Sequence, residues 1–358
     1  MMRSTSTRAA TARTTTSRVG RPAASTSARL RRRGIAAGAL AAAALVALTG
    51  CGLQSAAAYA PDAAPGSIEK IDGLPADATI TVTSKNFTEQ LVLGKIAVIS
   101  AKAAGFQVVD KTNVPGSVPV RQLMLAHDAD MTWEYTGTAW LTFLGHEQGI
   151  PDKQEQYDAV RKADAKSGLT WLPPAPLNNT YALAVRSEAV KELGVTKLSD
   201  IAKLPVDQRT ICVESEFNSR SDGLTPMLKK YGLERGAADG VPDSNIKIYD
   251  TGAVYTATDK GSACNFGEVY TTDGRIKSLD LTVLEDDAKF FPAYNVAPVL
   301  QTATLKKYPQ LKTIFDQISP KLTDETLQEL NLRVDEGGED PGDVAFDFLR
   351  KNGFVTQP

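Results

Sequence analysis

The chain has 358 residues, of which 42% are hydrophobic and 23% are charged. Residues 1–50 contain nine Arg, no Lys and no acidic residue, whereas the whole chain has 40 basic and 42 acidic residues. Subtracting the nine Arg leaves 31 basic against 42 acidic residues, a net charge of −11 for residues 51–358. This acidic balance beyond the leader argues against a nucleic-acid partner.

The first fifty residues have the pattern of an export signal. Four Arg between positions 29 and 33 precede an Ala-rich apolar run, Ile35 to Leu48, which at about fourteen residues is too short for a permanent membrane span. Leu48-Thr49-Gly50-Cys51 follows directly and resembles the bacterial lipobox, in which the Cys is lipidated and becomes the new N-terminus. A lipidated Cys51 would hold the protein on a membrane surface. The Arg run leaves both the Sec and the twin-arginine export routes open.

Two further cysteines, Cys212 and Cys264, follow Cys51. In an exported chain, an even pair favours a disulfide, with two buried free thiols as the open alternative. Their spacing fits neither a zinc site nor a redox motif, and we expect no metal and no cofactor.

The composition after Cys51 predicts a tether followed by one larger body. Residues 51–78 comprise the lipidated Cys and the segment Gly52 to Ala78, which is dominated by Ala, Pro, Gly and Asp and shows the weak apolar periodicity of a flexible linker. About 280 residues remain, which exceeds the usual size of a single core and predicts two lobes.

Strand composition and helical spacing alternate in the first part of this body, in five successive segments: Ile80 to Thr83, Thr88 to Ala103, Phe106 to Val109, Val118 to Ala126 and Asp130 to Tyr135. This β-α-β-α-β order predicts a mainly parallel sheet covered by helices. The later part adds three predicted strands and a helix, namely Tyr181 to Val185, Thr210 to Val213, Ile246 to Tyr249 and Leu224 to Tyr231. Thr323 and Asp340 have the positions of N-caps and predict two C-terminal helices.

Four tyrosines lie at the edges of strand-like runs, beside small or turn-forming residues: Tyr135, Tyr181, Tyr270 and Tyr294. Rings at strand ends are free to line a cleft, where their faces can hold a quaternary ammonium. Taken singly, each is more often an ordinary half-buried tyrosine. Two α/β lobes joined by crossovers would place a shared cleft at the carboxyl ends of their strands. Tyr157, in contrast, is predicted on the surface of a helix.

A series of ordered segments carries a family resemblance. The segments are SKNFTEQ at 84–90, EYTGT and WLTFLG within 134–145, PAPLNNTY at 174–181, TDGRI at 272–276, LEDD at 284–287 and FFPAYN at 290–295. Together they resemble the osmoprotectant-binding proteins of ABC importers, which bind glycine betaine, carnitine, choline and related quaternary amines. The resemblance runs from about residue 79 to the C-terminus.

The resemblance implies an α/β, two-lobed periplasmic-binding-protein fold of type II with two interlobe crossovers. Lobe I would comprise residues 79–177 plus 296–358, and lobe II residues 178–295. The four tyrosines would surround the trimethylammonium head, while Lys85, Thr138 and Arg220 would bind the other end of the ligand. Charged donors there suit a carboxylate. Two alternatives stay open, since Lys85 could be solvent-exposed and Arg220 could pair with Asp222 to order its own loop.

Two positions depart from the family pattern. Asn179 matches a position that is acidic in some relatives; its amide offers only a dipole, so we expect a preference for zwitterions over choline. The polar segment Ser262 to Glu268 replaces an apolar strand expected before Tyr270. If that strand is displaced, Phe87 or Tyr255 would substitute for Tyr270 in the cage.

The resulting expectation is a monomeric, extracytoplasmic lipoprotein that captures a quaternary amine by lobe closure and delivers it to an ABC permease. A membrane-anchored sensor or scaffold with the same fold is the alternative. A hydrolase is disfavoured because the only two histidines, His127 and His146, accompany no nucleophile motif. The acidic run Glu285 to Asp287 points in different directions and is typical of a solvated loop.

Overall fold

A computed structural model of the chain describes residues 59–358. The predicted export signal, Cys51 and the first part of the predicted linker lie outside the described residues. Within residues 59–358, no helix combines the length and the hydropathy needed to cross a membrane.

Two five-stranded sheets form the framework of the described chain. In spatial order, the first sheet consists of Gln107–Val114, Thr79–Lys85, Met131–Tyr135, Val296–Gln301 and Leu169–Trp171. The second sheet consists of Leu281–Val283, Tyr181–Arg186, Phe266–Tyr270, Ile211–Glu214 and Ile246–Tyr249. We call the part built on the first sheet the first lobe and the part built on the second sheet the second lobe.

Both sheets are mixed, with two parallel and two antiparallel pairings each, so the predicted mainly parallel arrangement holds only for the three strands of the β-α-β-α-β segment. Thr79–Lys85 pairs in parallel with both of its neighbours, as the β-α-β order requires. Val296–Gln301, however, returns from the second lobe and enters beside the carboxyl end of Met131–Tyr135, with Val296 opposite Tyr135. A strand that enters at that edge must run in the opposite direction, and it pairs antiparallel with both neighbours.

The chain passes between the two sheets twice, through residues 172–180 and 284–295. Asn178 and Asn295 pair as an isolated antiparallel bridge where the two crossovers meet. The Asn178 Oδ1 atom also accepts the backbone N–H of Tyr294 at 2.7 Å. These contacts hold Tyr181 and Tyr294 beside the junction of the lobes.

Helices connect the strands in both lobes. The first lobe contains Thr88–Ala103, Ser117–Leu125, Lys153–Asp164, Thr302–Lys307, Gln310–Ile318, Asp324–Asp335 and Pro341–Lys351. The second lobe contains Ala189–Leu193, Ser215–Ser219, Leu224–Lys230, Thr251–Lys260 and Arg275–Ser278. A helical turn, Thr136–Thr138, leads into the π-helical segment Ala139–Phe143, and 3₁₀ turns lie at Ala165–Ser167, Leu198–Lys203, Val206–Gln208, Asp243–Asn245 and Ser319–Lys321.

The helix Thr88–Ala103 holds the first sequence motif in place. Leu93 and Ile96 are fully buried in the core of the first lobe, and most of the helix is buried with them. Because the helix follows the strand Thr79–Lys85 after two residues, its first turn lies at the carboxyl end of that strand. Lys85 and Glu89 are thereby fixed at the edge of the sheet that faces the crossovers.

The last part of the predicted linker is fixed on the first lobe. Ala64–Pro65 pairs antiparallel with Val355–Thr356 near the C-terminus, and Ile68 is buried. Composition alone predicted a flexible segment because scattered apolar residues and a pairing with the distant C-terminal segment leave no periodic local pattern.

Cys212 and Cys264 form a disulfide in the second lobe, with Cα atoms 5.8 Å apart. Cys212 lies in the strand Ile211–Glu214, and Cys264 precedes the neighbouring strand Phe266–Tyr270. The bond therefore ties the strand Ile211–Glu214 to the segment that leads into its parallel neighbour in the second sheet.

Candidate ligand-binding site

A cavity of about 310 Å³ is lined by residues of both lobes. This volume is at the low end of the range of about 300–1,000 Å³ that is usual for small-molecule sites. Seven of the eight predicted ligand-binding residues line it, namely Lys85, Tyr135, Thr138, Asn179, Tyr181, Tyr270 and Tyr294. Arg220 lies behind this lining and reaches it through Thr138.

The four tyrosines come together because strand pairing and the crossovers bring their chain segments together. Tyr181 and Tyr270 are direct partners in an antiparallel pair of the second sheet, with ring centroids 5.3 Å apart. Tyr294, from the returning crossover, packs edge-to-face on Tyr181 at 5.7 Å. Tyr135 ends its strand in the first lobe and completes the set from the opposite side.

The four tyrosines share one electrostatic property. Burial raises the pKa of each phenol well above its ordinary value, so all four stay neutral at physiological pH. A neutral aromatic ring has a negative face that attracts cations. The cavity is therefore walled by surfaces suited to a positive group that offers no hydrogen-bond donor.

Tyr270 keeps its predicted position despite the unusual segment before it. The strand Phe266–Tyr270 is largely buried, and the Tyr255 hydroxyl accepts the backbone N–H of Tyr270 at 2.8 Å. Tyr255 thus supports the strand from behind and does not replace Tyr270. Phe87 lines the cavity as a fifth ring, stacked on Tyr270 at 5.0 Å between centroids.

Lys85 is buried, so the alternative of a solvent-exposed lysine is wrong. Its Nζ atom forms an ion pair with Glu134 at 2.7 Å and lies 4.8 Å from the centre of the Tyr135 ring. An ammonium group has three N–H donors, so the ion pair leaves donors available on the cavity side.

Arg220 pairs with Asp222, as the second sequence alternative proposed. Its Nε and Nη2 atoms donate to the two carboxylate oxygens of Asp222 at 2.7 and 2.6 Å, and Nη1 donates to Glu216. The same guanidinium donates to Thr138 Oγ1 at 3.3 Å, across the junction of the lobes. Asp222 also accepts the Tyr294 hydroxyl at 2.7 Å, so this pair orders both its own loop and one ring of the cavity.

Three acidic residues that the sequence analysis did not identify also line the cavity, namely Glu214, Glu216 and Asp250. Glu216 Oε2 accepts the backbone N–H of Ser117 at 3.0 Å and so connects the second lobe to the first. Burial opposes ionisation of Glu216, but Lys85 and Arg220 outweigh it and lower its pKa. The available signal was an acid at the carboxyl end of the predicted strand Thr210 to Val213, where α/β folds place ligand-binding groups.

Tyr157 is buried, so the prediction of a surface position is wrong. Its hydroxyl donates to the Trp171 carbonyl oxygen at 3.3 Å. The ring lies on the inner face of the helix Lys153–Asp164, against the short edge strand Leu169–Trp171.

Two mixed sheets, two crossovers and a cavity between the lobes define the class of periplasmic binding proteins of type II. Residues 78–351 match the family model of the substrate-binding domain of the ABC-type glycine betaine transport system. The chain belongs to this family, and both the predicted family and the predicted fold class are confirmed.

Individual relatives agree with the family model. The chain is 38% identical over 288 residues to a glycine-betaine-binding protein of Pseudomonas aeruginosa, covering 78% of this chain and 90% of that protein. It is 31% identical over 280 residues to the carnitine transport binding protein OpuCC of Listeria monocytogenes, covering 77% and 87%. A solved structure described as a glycine betaine/carnitine/choline ABC transporter aligns with a TM-score of 0.62 and 26% identity, covering 77% of this chain and 99% of that one.

Membership of this family makes the chain a solute-binding protein of an ABC transporter and not an enzyme. Such proteins work with a membrane permease and act outside the cytoplasm.

Proposed function

We propose that the protein captures a small quaternary amine osmoprotectant, such as glycine betaine, carnitine or choline, between its lobes and delivers it to an ABC permease. The observation that carries this proposal is the convergence of four neutral tyrosines on one cavity from both lobes. Each contact between a cation and a ring contributes roughly 0.5–1 kcal/mol when exposed and about 2 kcal/mol or more when desolvated. Several such contacts together supply the affinity that a permanently methylated nitrogen cannot obtain from hydrogen bonds.

The other end of the ligand meets Lys85 and Thr138, which also line the cavity. The ammonium of Lys85 has donors beyond its ion pair with Glu134. The Thr138 oxygen accepts a hydrogen bond from Arg220. The hydroxyl hydrogen of Thr138 therefore points away from the guanidinium and is free to donate to the ligand. In this proposal Arg220 acts on a ligand carboxylate through Thr138, and Asn179 contributes a dipole that favours zwitterions over choline.

Capture proceeds by lobe closure. Glu216 reaches the N–H of Ser117, and Arg220 reaches Thr138, so two polar contacts join the lobes beside the cavity. A ligand that touches both lobes binds the closed state more tightly than the open state and shifts the population towards it. The closed state is then the form that docks on the permease.

The remaining parts of the proposal concern the whole chain. Lipidation of Cys51 would anchor the protein to the outer face of the cell membrane, with residues 52–58 and the fixed segment that follows as the connection to the first lobe. The lobes already form a complete cavity within one chain, which supports a monomer.

Calorimetric titration with glycine betaine, carnitine, choline and proline betaine tests the proposal. We expect saturable binding of at least one ligand, with Tyr135→Ala and Tyr294→Ala each weakening it by about tenfold or more. Tyr59→Ala is the matched control, since Tyr59 is 43% exposed and does not line the cavity. Equal affinities in all three variants would contradict the cage, and no response to any ligand would favour a sensor or scaffold.

A further inference from the structure

Glu89 is a buried carboxylate behind the wall of the cavity, in the first turn of the helix Thr88–Ala103. Its Oε1 atom accepts the Tyr135 hydroxyl at 2.8 Å and Asn179 Nδ2 at 3.0 Å. Its Oε2 atom accepts the Thr272 hydroxyl at 2.5 Å and Asn331 Nδ2 at 3.5 Å. All four partners are neutral donors, and they come from both lobes and from a crossover.

The direction of these hydrogen bonds favours the ionised carboxylate. The two amide nitrogens can only donate. The Tyr135 oxygen accepts Gln90 Nε2 at 3.2 Å, so its own hydrogen is free to point at Glu89. Burial raises the pKa of Glu89 above its ordinary value, and its hydrogen bonds to Thr272, Tyr135 and the two amides offset only part of this rise.

Two of the four partners are themselves part of the cavity wall. Tyr135 and Asn179 both line the cavity, and each is one hydrogen bond away from Glu89. A phenol that donates to a carboxylate has a more electron-rich ring, which strengthens its attraction for a cation. The bond to Nδ2 also fixes the Asn179 amide, because a flipped amide would place its oxygen against the carboxylate.

We propose that Glu89 is a positioning residue of this cavity that orients Tyr135 and Asn179 and supplies, behind their side chains, negative charge that favours a cationic head over a neutral head of the same shape. This inference rests on the proposed function, because it concerns the same cavity. Through Thr272, which lies in the second lobe, the same carboxylate also bridges the lobes.

The test compares two ligands of the same shape that differ in charge. The first is the quaternary amine that wild type binds best, and the second is its tert-butyl analogue, in which carbon replaces the quaternary nitrogen. Glu89→Gln keeps the size of the side chain and removes its charge. We expect the ratio of the two dissociation constants, which measures the preference for the cation, to fall about tenfold in Glu89→Gln.

A second variant separates charge from structure. In Glu89→Gln combined with Asn179→Asp, the carboxylate moves to the neighbouring side chain and the hydrogen bond between the two positions reverses its direction. We expect this double variant to recover most of the preference for the cation. Glu188→Gln is the matched control, because the Glu188 side chain is 80% exposed and its loss should leave the ratio unchanged. Thermal unfolding of each variant verifies that it is folded.

The outcomes separate the two proposals. An unchanged ratio in Glu89→Gln would overturn this inference: with both ligands weakened equally the role is purely structural, and with neither weakened Glu89 has no role in binding. Absence of binding by wild type to every quaternary amine would overturn the proposed function and this inference with it. If Glu89→Gln does not fold, Tyr135→Phe removes the phenol hydroxyl, and with it the bond to Glu89 and the bond accepted from Gln90, while the carboxylate stays in place. A smaller drop in the ratio would support the inference, and no drop would overturn it.

Discussion

Replacing Gly137 by Ala tests the cavity without altering any side chain that faces the ligand. An ideal Cβ on Gly137 would lie 2.4 Å from Cδ1 and 2.5 Å from Cε1 of Tyr294. Carbon atoms that are not bonded do not approach so closely, so the ring must move. Tyr294 is 2% exposed and its hydroxyl is held by Asp222 at 2.7 Å, which leaves little room for the displacement.

The expected magnitudes follow from this contact. Inserting a methyl group into a packed site costs typically about 1–3 kcal/mol, so we expect the free energy of unfolding to fall by that amount. Loss of one desolvated contact between a cation and a ring costs about 2 kcal/mol, which is about 30-fold in the dissociation constant.

Ligand dissociation constants measured by calorimetry for wild type, Gly137→Ala, Tyr294→Ala and the double variant form a double-mutant cycle. Once the ring of Tyr294 is absent, the added methyl group has nothing to displace, so Gly137→Ala should cause no further loss in that background. Wild-type affinity in Gly137→Ala would refute the reasoning. A loss of the same size with and without the Tyr294 ring would refute it as well.

Three further predictions concern stability and attachment. Burial raises the pKa of Glu268 to about 8, so between the unfolded-state and folded-state pKa values the folded protein retains a proton that the unfolded chain releases. The contribution of the protonated Glu268 to the free energy of unfolding is full below the unfolded-state pKa and is lost as pH rises through the folded-state pKa. Denaturant unfolding should show a free energy that falls with pH by at most about 1.4 kcal/mol per unit up to about pH 8, and Glu268→Gln should flatten this slope; equal slopes would contradict the shift. Cys212 and Cys264 are 52 residues apart, so replacing both by Ser should lower the free energy of unfolding by up to about 4 kcal/mol. An unchanged melting temperature of the wild type under reductant would argue against the disulfide bond. Cys51→Ser should abolish incorporation of labelled fatty acid and move the protein from the membrane fraction to the soluble fraction, and continued labelling would exclude Cys51 as the anchor.

Several features of the fold were predictable because they depend on neighbours in the sequence. The helices after Thr323 and Asp340 begin where the capping side chains accept backbone N–H groups, at 3.2 Å from Thr326 and 2.7 Å from Gly342. The helix Thr88–Ala103 has the bounds that its apolar spacing predicts. Caps and helical periods act over three or four residues, a distance at which the sequence pattern and the physical contact coincide.

For the candidate site, the sequence predicted which residues line the cavity better than it predicted which of them contact each other. The ordered segments identified the tyrosines, Lys85, Thr138 and Asn179, and all of these line one cavity. The partners of the charged groups were not predictable. Lys85 is paired with Glu134, 49 residues away, and Arg220 reaches Thr138 across 82 residues. The sequence shows that such groups exist but contains no local signal for which of them meet.

By itself, the sequence determined the family, the alternation of strands and helices, and the aromatic residues that a cationic ligand requires. Only the tertiary structure decided that both sheets are mixed, that Tyr157 is buried, and that Glu89 lies behind Tyr135 with a second partner, Thr272, 183 residues further along the chain. The physical reason is the range of the interactions. Local propensities act within one turn or strand, whereas the charge and the order of this cavity arise from hydrogen bonds between segments that only the folded chain brings together.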